Sequence, residues 1–400
     1  YDSYSSGGGV YVAVGGTFTV NAGTVSGNSS SSSASSLYDS YSYGGGVYAA
    51  DGGTFTLNAG TVSGNLASSY SYSYGGGVYM ADGGTFIVNA GTISGNSASI
   101  SNPTSGSYGG GVYVGDGLFT MTNGEIRNNT AYWGGGGFIS GTATISDSTI
   151  TGSSPSLYIA NGSVTLSRGR ISGSASYGVF LAGGAFVLDG TTVNGNTSYG
   201  VYQTGGTFTM NSGAISGHTN SGVYQTGGTF NLEGGTISNN TGSNGAGIYS
   251  TATLNLNGGE ISSNTATNSG GGVYVSSSTA NLTLKGTKIT GNSTSSSSAN
   301  GGGIYFDGAA FTMTGGEISG NRTAQNGGGV YIAAGTFKKS PVTGAANSGI
   351  IRGSDDTEDP NIASVSGTAV YVSSVGVRNT TAGQAVSLDS TLSGATGGWE

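Results

Sequence analysis

The chain has 400 residues, of which 82 are glycine and 4 are proline, and charged residues make up only 7% of it. With 10 Lys+Arg against 18 Asp+Glu the formal charge is −8, so there is no basic cluster to neutralise nucleic-acid phosphates or anionic lipid. Cysteine is absent, which excludes a disulfide scaffold, and no run of 18 apolar residues exists to span a membrane as a helix.

The first residues, Tyr1 to Val10, already read as the middle of a repeat, and no signal peptide precedes them, so the chain is expected to be a segment or mature product of a longer precursor. Three phrases then recur in fixed order: Gly7 to Tyr11 (Gly-Gly-Gly-Val-Tyr), Gly16 to Asn21 (Gly-Thr-Phe-Thr-Val-Asn) and Gly23 to Asn28 (Gly-Thr-Val-Ser-Gly-Asn). The apolar anchor of the first phrase returns at Val47, Val78, Val112, Phe138, Leu157, Val179, Val201, Val223, Ile248, Val273, Ile304 and Val330, which with Val10 makes thirteen copies. Val179, Val201 and Val223 are 22 apart; elsewhere the spacing grows through insertions such as Ser29 to Tyr43, Leu66 to Tyr74 and Ser97 to Tyr108. Those Ser/Tyr-rich stretches are expected to be surface loops.

Within each phrase apolar residues alternate with hydroxyls, as in Thr17-Phe18-Thr19-Val20. A period of two is the strand pattern, and no sustained 3.6 period suggests a helix. One coil offers about five inward apolar groups, too few to offset the cost of ordering its backbone, so coils must stack. The expected fold is all-β: a right-handed parallel β-helix with three short strands per coil, about 13 coils and a rod roughly 60 Å long at about 4.8 Å per coil. Residues 1–337 form the repeats, and 338–400 are read as irregular final coils and a C-terminal cap, in which strand-like alternation returns at Ala369 to Val372 and at Ala385 to Leu388 and Trp399 is placed to cover the open end.

Asparagine recurs after the third strand at Asn28, Asn65, Asn96, Asn129, Asn196, Asn240, Asn264, Asn292 and Asn321, as expected for a structural ladder of amides. His218, the single histidine, shares that register and is read as a substitute rung. A tyrosine follows the anchor directly at Tyr11, Tyr48, Tyr79, Tyr113, Tyr202, Tyr224, Tyr249, Tyr274, Tyr305 and Tyr331, with Phe180 filling one place, so an outward aromatic stripe is expected. It either shields the strands by stacking or binds a sugar or protein. The Thr17/Thr19, Thr54/Thr56 and Thr207/Thr209 pairs suggest a flat threonine face of the ice-binding kind, broken by Val187, Asn231, Asn255 and Lys338.

Hydrolysis of a glycoside needs converging carboxylates. Asp51, Asp82 and Asp116 align but sit in glycine turns, and Glu125, Glu260 and Glu317 recur on the third strand at wide spacing in sequence, read as far apart along the rod. The run Asp355, Asp356, Glu358, Asp359 lacks the spacing of a calcium loop. No catalytic residue, metal site or cofactor is therefore expected.

Gly-Gly-Gly-(Val/Ile)-Tyr followed by Phe-x-x-Asn, as in Phe18 to Asn21, Phe55 to Asn58, Phe86 to Asn89 and Phe208 to Asn211, resembles the repeats of polymorphic outer-membrane proteins, which are autotransporter adhesins. The likeness covers about residues 7 to 337, and Gly45-Gly46-Val47 stands near that family's Gly-Gly-Ala-Ile. Arg378 to Gly383 and Gly397 to Glu400 look like the end of related large bacterial surface repeat proteins. The resemblance implies an extracellular or outer-surface bacterial location and adhesion to a host or neighbouring-cell glycan or protein. A self-assembling fibre or coat subunit is the alternative, and a polysaccharide-active enzyme or an ice binder are further readings.

Overall fold

Alternating side chains and glycine corners decide every regular element. The computed structural model describes residues 2–33, 38–339, 350–352, 359–373 and 377–378, and among these all regular structure is strand. The chain divides into two compact units, 1–197 and 198–400. Asp355, Asp356, Glu358, the alternating stretch 385–388, Trp399 and most of the closing motifs lie outside the described residues.

In the first unit each coil carries three strands that pair in parallel with their counterparts in the coils above and below. The first strands run from Val10–Val12 to Val179–Leu181, the second from Thr17–Val20 to Ala185–Asp189, and the third from Thr24–Ser26 to Thr192–Asn194, seven of each. Pairing is in register: Val10, Val47, Val78 and Val112 stack, and so do Phe18, Phe55, Phe86 and Phe119. Phe55, Phe86 and Phe119 are fully buried, with ring centroids 5.0 and 5.1 Å apart. In these strands the outward partners are mostly Thr, Ser and Tyr, so one strand face builds the core and the other meets solvent.

The anchor expected at Phe138 is corrected. Val112 pairs with Gly137, and Phe138 pairs with Tyr113 and then Tyr158. The cause is an additional glycine: four precede Phe138 (Gly134 to Gly137) where three precede Val112, which moves the aromatic ring onto the outer face.

The insertions are corrected too. They are not plain loops but two further parallel ladders, one of Ser3–Ser6, Ser40–Tyr43, Tyr72–Tyr74 and Gly106–Tyr108, the other of Ser29–Ser32, Leu66–Ser69 and Ser97–Ile100. Their Ser-Tyr alternation is itself a strand pattern, with the serines turned inward. This side lobe has a hydroxyl interior: buried Ser42 donates to the Ser30 carbonyl (2.6 Å) and Ser73 to the Ser99 carbonyl (2.6 Å), while Ser69 and Ser73 meet at 3.0 Å.

The triple glycine has a steric reason in each place. Gly44 takes φ +59°, a left-handed corner. A Cβ on Gly45 would collide with the backbone of Leu66, just past the asparagine rung, and one on Gly46 would lie 2.7 Å from the Gly77 carbonyl of the next coil.

The second unit repeats this scheme from Val201–Gln203 through Val223–Gln225 and Ile248–Ser250. In its later coils the first and second strands fuse into Val273–Leu284, Ile304–Met313 and Val330–Lys339, with register shifts near Ser277 and Asp307. Regular stacking runs beyond Phe337: Ile350–Ile351 pairs with Glu317 and Ile318, and Val370–Val372 pairs with Val330 to Ile332. The latter is a seventh first strand in this unit, so the described residues hold seven such strands in each unit, against thirteen expected in all.

Candidate binding face

The asparagine corner is one continuous device within each unit. In the first, Asn65 Nδ2 donates to Asn96 Oδ1 (2.9 Å) and to the Val25 carbonyl (3.0 Å), and the Asn65 backbone N–H donates to the same Asn96 Oδ1 (3.0 Å). Asn28 makes the same link to Asn65, and Asn96 to Asn129, after which Ser153 and Ser174 stand in the corner and the Ser174 N–H donates to Asn196 Oδ1. In the second unit the His218 N–H donates to Asn240 Oδ1, and Asn240, Asn264, Asn292 and Asn321 follow in order. Asn361 closes the series, accepting from Asn321 Nδ2 at 2.9 Å. The sequence reading missed Asn361 because it lies 40 residues past Asn321 with no glycine phrase before it. A buried corner of this kind satisfies backbone groups and offers nothing to a ligand.

The tyrosine positions all fall on outward faces, yet the two units use them differently. In the first unit Tyr11, Tyr48, Tyr79, Tyr113, Phe138, Tyr158 and Phe180 form one stack, with centroids 4.8–5.2 Å apart. A second row from the side lobe, Tyr43, Tyr74 and Tyr108, packs edge-on against it: Tyr43 on Tyr79 at 4.9 Å, Tyr74 on Tyr113 at 5.2 Å, Tyr108 on Phe138 at 5.2 Å. Mutual burial, reinforced by neighbouring phenols, pushes Tyr43 up to about 12 and raises Tyr74 and Tyr79 well above the usual phenol range. Tyr113 is likewise pushed up to about 12, by burial and then by Asp82. Tyr79 and Tyr113 are thus largely committed to packing, while Tyr48 meets the second row only at 6.2 Å, edge-on to Tyr43. The second row was legible as the tyrosine directly before the triple glycines that begin at Gly44, Gly75 and Gly109, but in sequence alone it reads as the end of a loop.

In the second unit no such row covers the stripe among the described residues. Tyr224, Tyr249, Tyr274, Tyr305, Tyr331 and Tyr371 stack at 4.6–5.5 Å with nearly parallel rings. Tyr371 was absent from the expected stripe. Burial also raises Tyr305, to about 12. Beside the rings, across the glycine corner, runs a polar row: the Ser269 N–H donates to Asn244 Oδ1 (3.0 Å), Asn326 Nδ2 donates to Asn300 Oδ1 (3.2 Å) and Ser366 Oγ to Asn326 Oδ1 (2.8 Å). At Tyr202 the regular stack breaks. Tyr199 lies against Tyr224 at 4.5 Å, and Tyr202 meets Tyr224 edge-on at 71°. A cleft of about 290 Å³ opens there, lined by Tyr199, Tyr224 and Tyr249 together with Asn220, Ser221, Ser243 and Asn244.

The carboxylates are dispersed or paired. Asp51, Asp82 and Asp116 stand exposed in their turns, where Asp82 Oδ1 accepts the Asp116 N–H at 3.1 Å. Glu125 pairs with Arg127 at 3.0 Å. Glu260 and Glu317 are nearer than expected: only the Lys288 rung separates them, so they are about 10 Å apart at coil spacing. The distance looks larger in the sequence because the 57 positions from Glu260 to Glu317 make only two coils. Glu317, however, accepts from Arg352 Nε at 2.8 Å, and that bond holds its carboxyl below the usual range, the reverse of what a general acid needs. The threonine array is mixed as expected, with Asn255 donating to Asn231 at 2.8 Å in its midst. Among the described residues no group of His, Asp or Glu could hold a metal ion, and no helix is long and apolar enough to cross a membrane.

No curated protein and no solved structure matches the chain. Residues 133–289, less than half of its length, match the family model for a right-handed beta helix region. That match, the all-strand architecture and the parallel in-register ladders together make this chain a right-handed parallel β-helix repeat protein.

Proposed function

We propose that the chain is a non-catalytic, adhesin-like β-helix of a bacterial cell surface or secretion, and that its contact face is the tyrosine stripe of the second unit. One observation carries this reading: the rings from Tyr224 to Tyr371 form a stacked row that no second aromatic row covers among the described residues, flanked by amides and hydroxyls. Flat apolar faces with polar tips, held rigid by strands, give large contact area at low entropic cost. The low content of charge points to recognition by stacking and neutral hydrogen bonds. The paired state of Glu125 and Glu317 favours a binding role over hydrolysis.

The test is adhesion of labelled chain to bacterial and animal cell surfaces and to a glycan array. Replacing Tyr249, Tyr274 and Tyr305 together by Ser should abolish adhesion while far-UV circular dichroism stays strand-like. Undiminished adhesion by that variant, or loss of adhesion confined to a folded Tyr48→Ser/Tyr79→Ser variant, would overturn the assignment of the face. Length-dependent sedimentation of the chain alone would favour the fibre reading instead, and release of reducing sugar from a polysaccharide the enzymatic one.

A further inference from the structure

We infer that the cleft beside Tyr199 is a subsite for one ring of a neutral saccharide, with the polar row above it tracking the sugars that follow. The inference rests on the binding-face reading and deepens it by naming the ligand class.

The seven residues that line the cleft carry no formal charge. Uronates, sulfates, phosphates and cationic peptides would leave their charges unpaired there, which is costly once water is displaced. The chemistry that remains is matched to a pyranose: phenol faces for its C–H surface, amides and hydroxyls for its hydroxyl edge. The volume, about 290 Å³, stands at the small end of ligand pockets and suits one or two sugar rings.

Asn220 supplies the second observation. Its side-chain amide is half-buried in the lining, yet it makes no hydrogen bond to the described residues. Its neighbours differ: Ser221 Oγ donates to the Asn244 carbonyl (3.4 Å), Ser243 Oγ accepts from Asn268 Nδ2 (2.9 Å), and Asn244 Oδ1 accepts the Ser269 N–H (3.0 Å). With donor and acceptor both open to solvent at a wall shared with Tyr199, Tyr224 and Tyr249, this amide is available to a ligand. The regular ring column changes at this point: Tyr199 stacks on Tyr224 and Tyr202 meets Tyr224 edge-on, and the cleft opens beside them. Beyond the cleft, Asn300, Asn326 and Ser366 repeat once per coil beside rings spaced 4.6–5.5 Å apart. That step is close to the advance per sugar of an extended β-linked chain.

Calorimetric titration of the full chain with cellohexaose, chitohexaose and mannohexaose, against oligogalacturonate as the anionic control, tests this. At least one neutral probe should bind saturably, and Asn220→Ala and Tyr199→Ala should each weaken it about tenfold, near 1.4 kcal/mol. Asn220→Asp, which keeps the shape and adds charge, should weaken it as much, and melting curves should show all three variants folded. Binding of no neutral probe, preference for oligogalacturonate, or equal binding by the Asn220 and Tyr199 variants would overturn the subsite. Saccharide binding that survives at those positions but is lost in Tyr274→Ser/Tyr305→Ser would sink the cleft and leave the face standing. Loss of all cell and glycan binding would sink both.

Discussion

Two asparagines of one coil show how differently the same side chain can be used. Asn96 is fully buried: it accepts from the Asn65 backbone and amide, and its own Nδ2 donates to Asn129 Oδ1 and to the Val62 carbonyl. Asn89, exposed at the far corner, shares only a 2.7 Å bond with Asn58. Asn96→Ala strands several buried donors and acceptors, and should cost about 2–4 kcal/mol in denaturant unfolding, whereas Asn89→Ala should change stability by less than about 0.5 kcal/mol. Equal effects would mean that the buried ladder is ornamental. Gly45→Ala meets the Leu66 backbone and cannot be relieved by a rotamer change, so it should cost about 1–3 kcal/mol, measured the same way. The buried ladder was readable in the sequence because its rungs share a phrase; Asn361 and the glycine-shifted Phe138 were not, because one lacks the phrase and the other stretches it.

The aromatic rows belong to the scale of the strand. Phenols packed on phenols in the first unit resist ionisation, since a phenolate there would lose water and face its neighbours. Their folded pKa values lie above the unfolded value of about 10, so the protonated rows contribute stability that is complete below about pH 10 and is lost as pH climbs toward and through 12. Near-ultraviolet absorbance should therefore show part of the phenolate signal appearing late and together with the loss of strand circular dichroism. A smooth titration of all tyrosines near pH 10, with the fold intact, would contradict the packed rows. The sequence displayed the period of these rings but not which were covered. Cover comes from the side lobe, whose Ser-Tyr stretches resemble a linker in composition and become strands only because consecutive coils carry matching copies. The candidate cleft was less legible still. Tyr199 repeats Tyr177 in a Ser-Tyr-Gly-Val phrase, but Asn220 belongs to no such phrase, and only the fold brings both beside Tyr224 and Tyr249.

At the scale of the molecule, stability is assembled from neighbour-to-neighbour terms. A cavity such as Ile126→Ala, in the fully buried core of the first unit, should cost about 2–5 kcal/mol locally. Hydrogen exchange should accelerate around the strands flanking Ile126 and stay nearly unchanged in the strands near Ile289, within the second unit. Uniform acceleration throughout would show a single cooperative block instead. The Glu125–Arg127 and Asp147–Arg168 ion pairs are well exposed and charged residues are few, so moderate salt should shift the melting temperature little.

The near-identity of successive coils also has a cost in addressing. Val47-Tyr48, Val78-Tyr79 and Val112-Tyr113 present almost the same edge to a partner, so a folding chain could seat one coil against the wrong copy and still bury its valines. What forbids this is the unlike tokens: Gly137 among the anchors, Ser153, Ser174 and His218 among the amides, and hydroxyl-lined side strands of unequal length. These irregularities work as punctuation. A sequence smoothed to its consensus would gain uniform rungs and lose the marks that tell each rung its place.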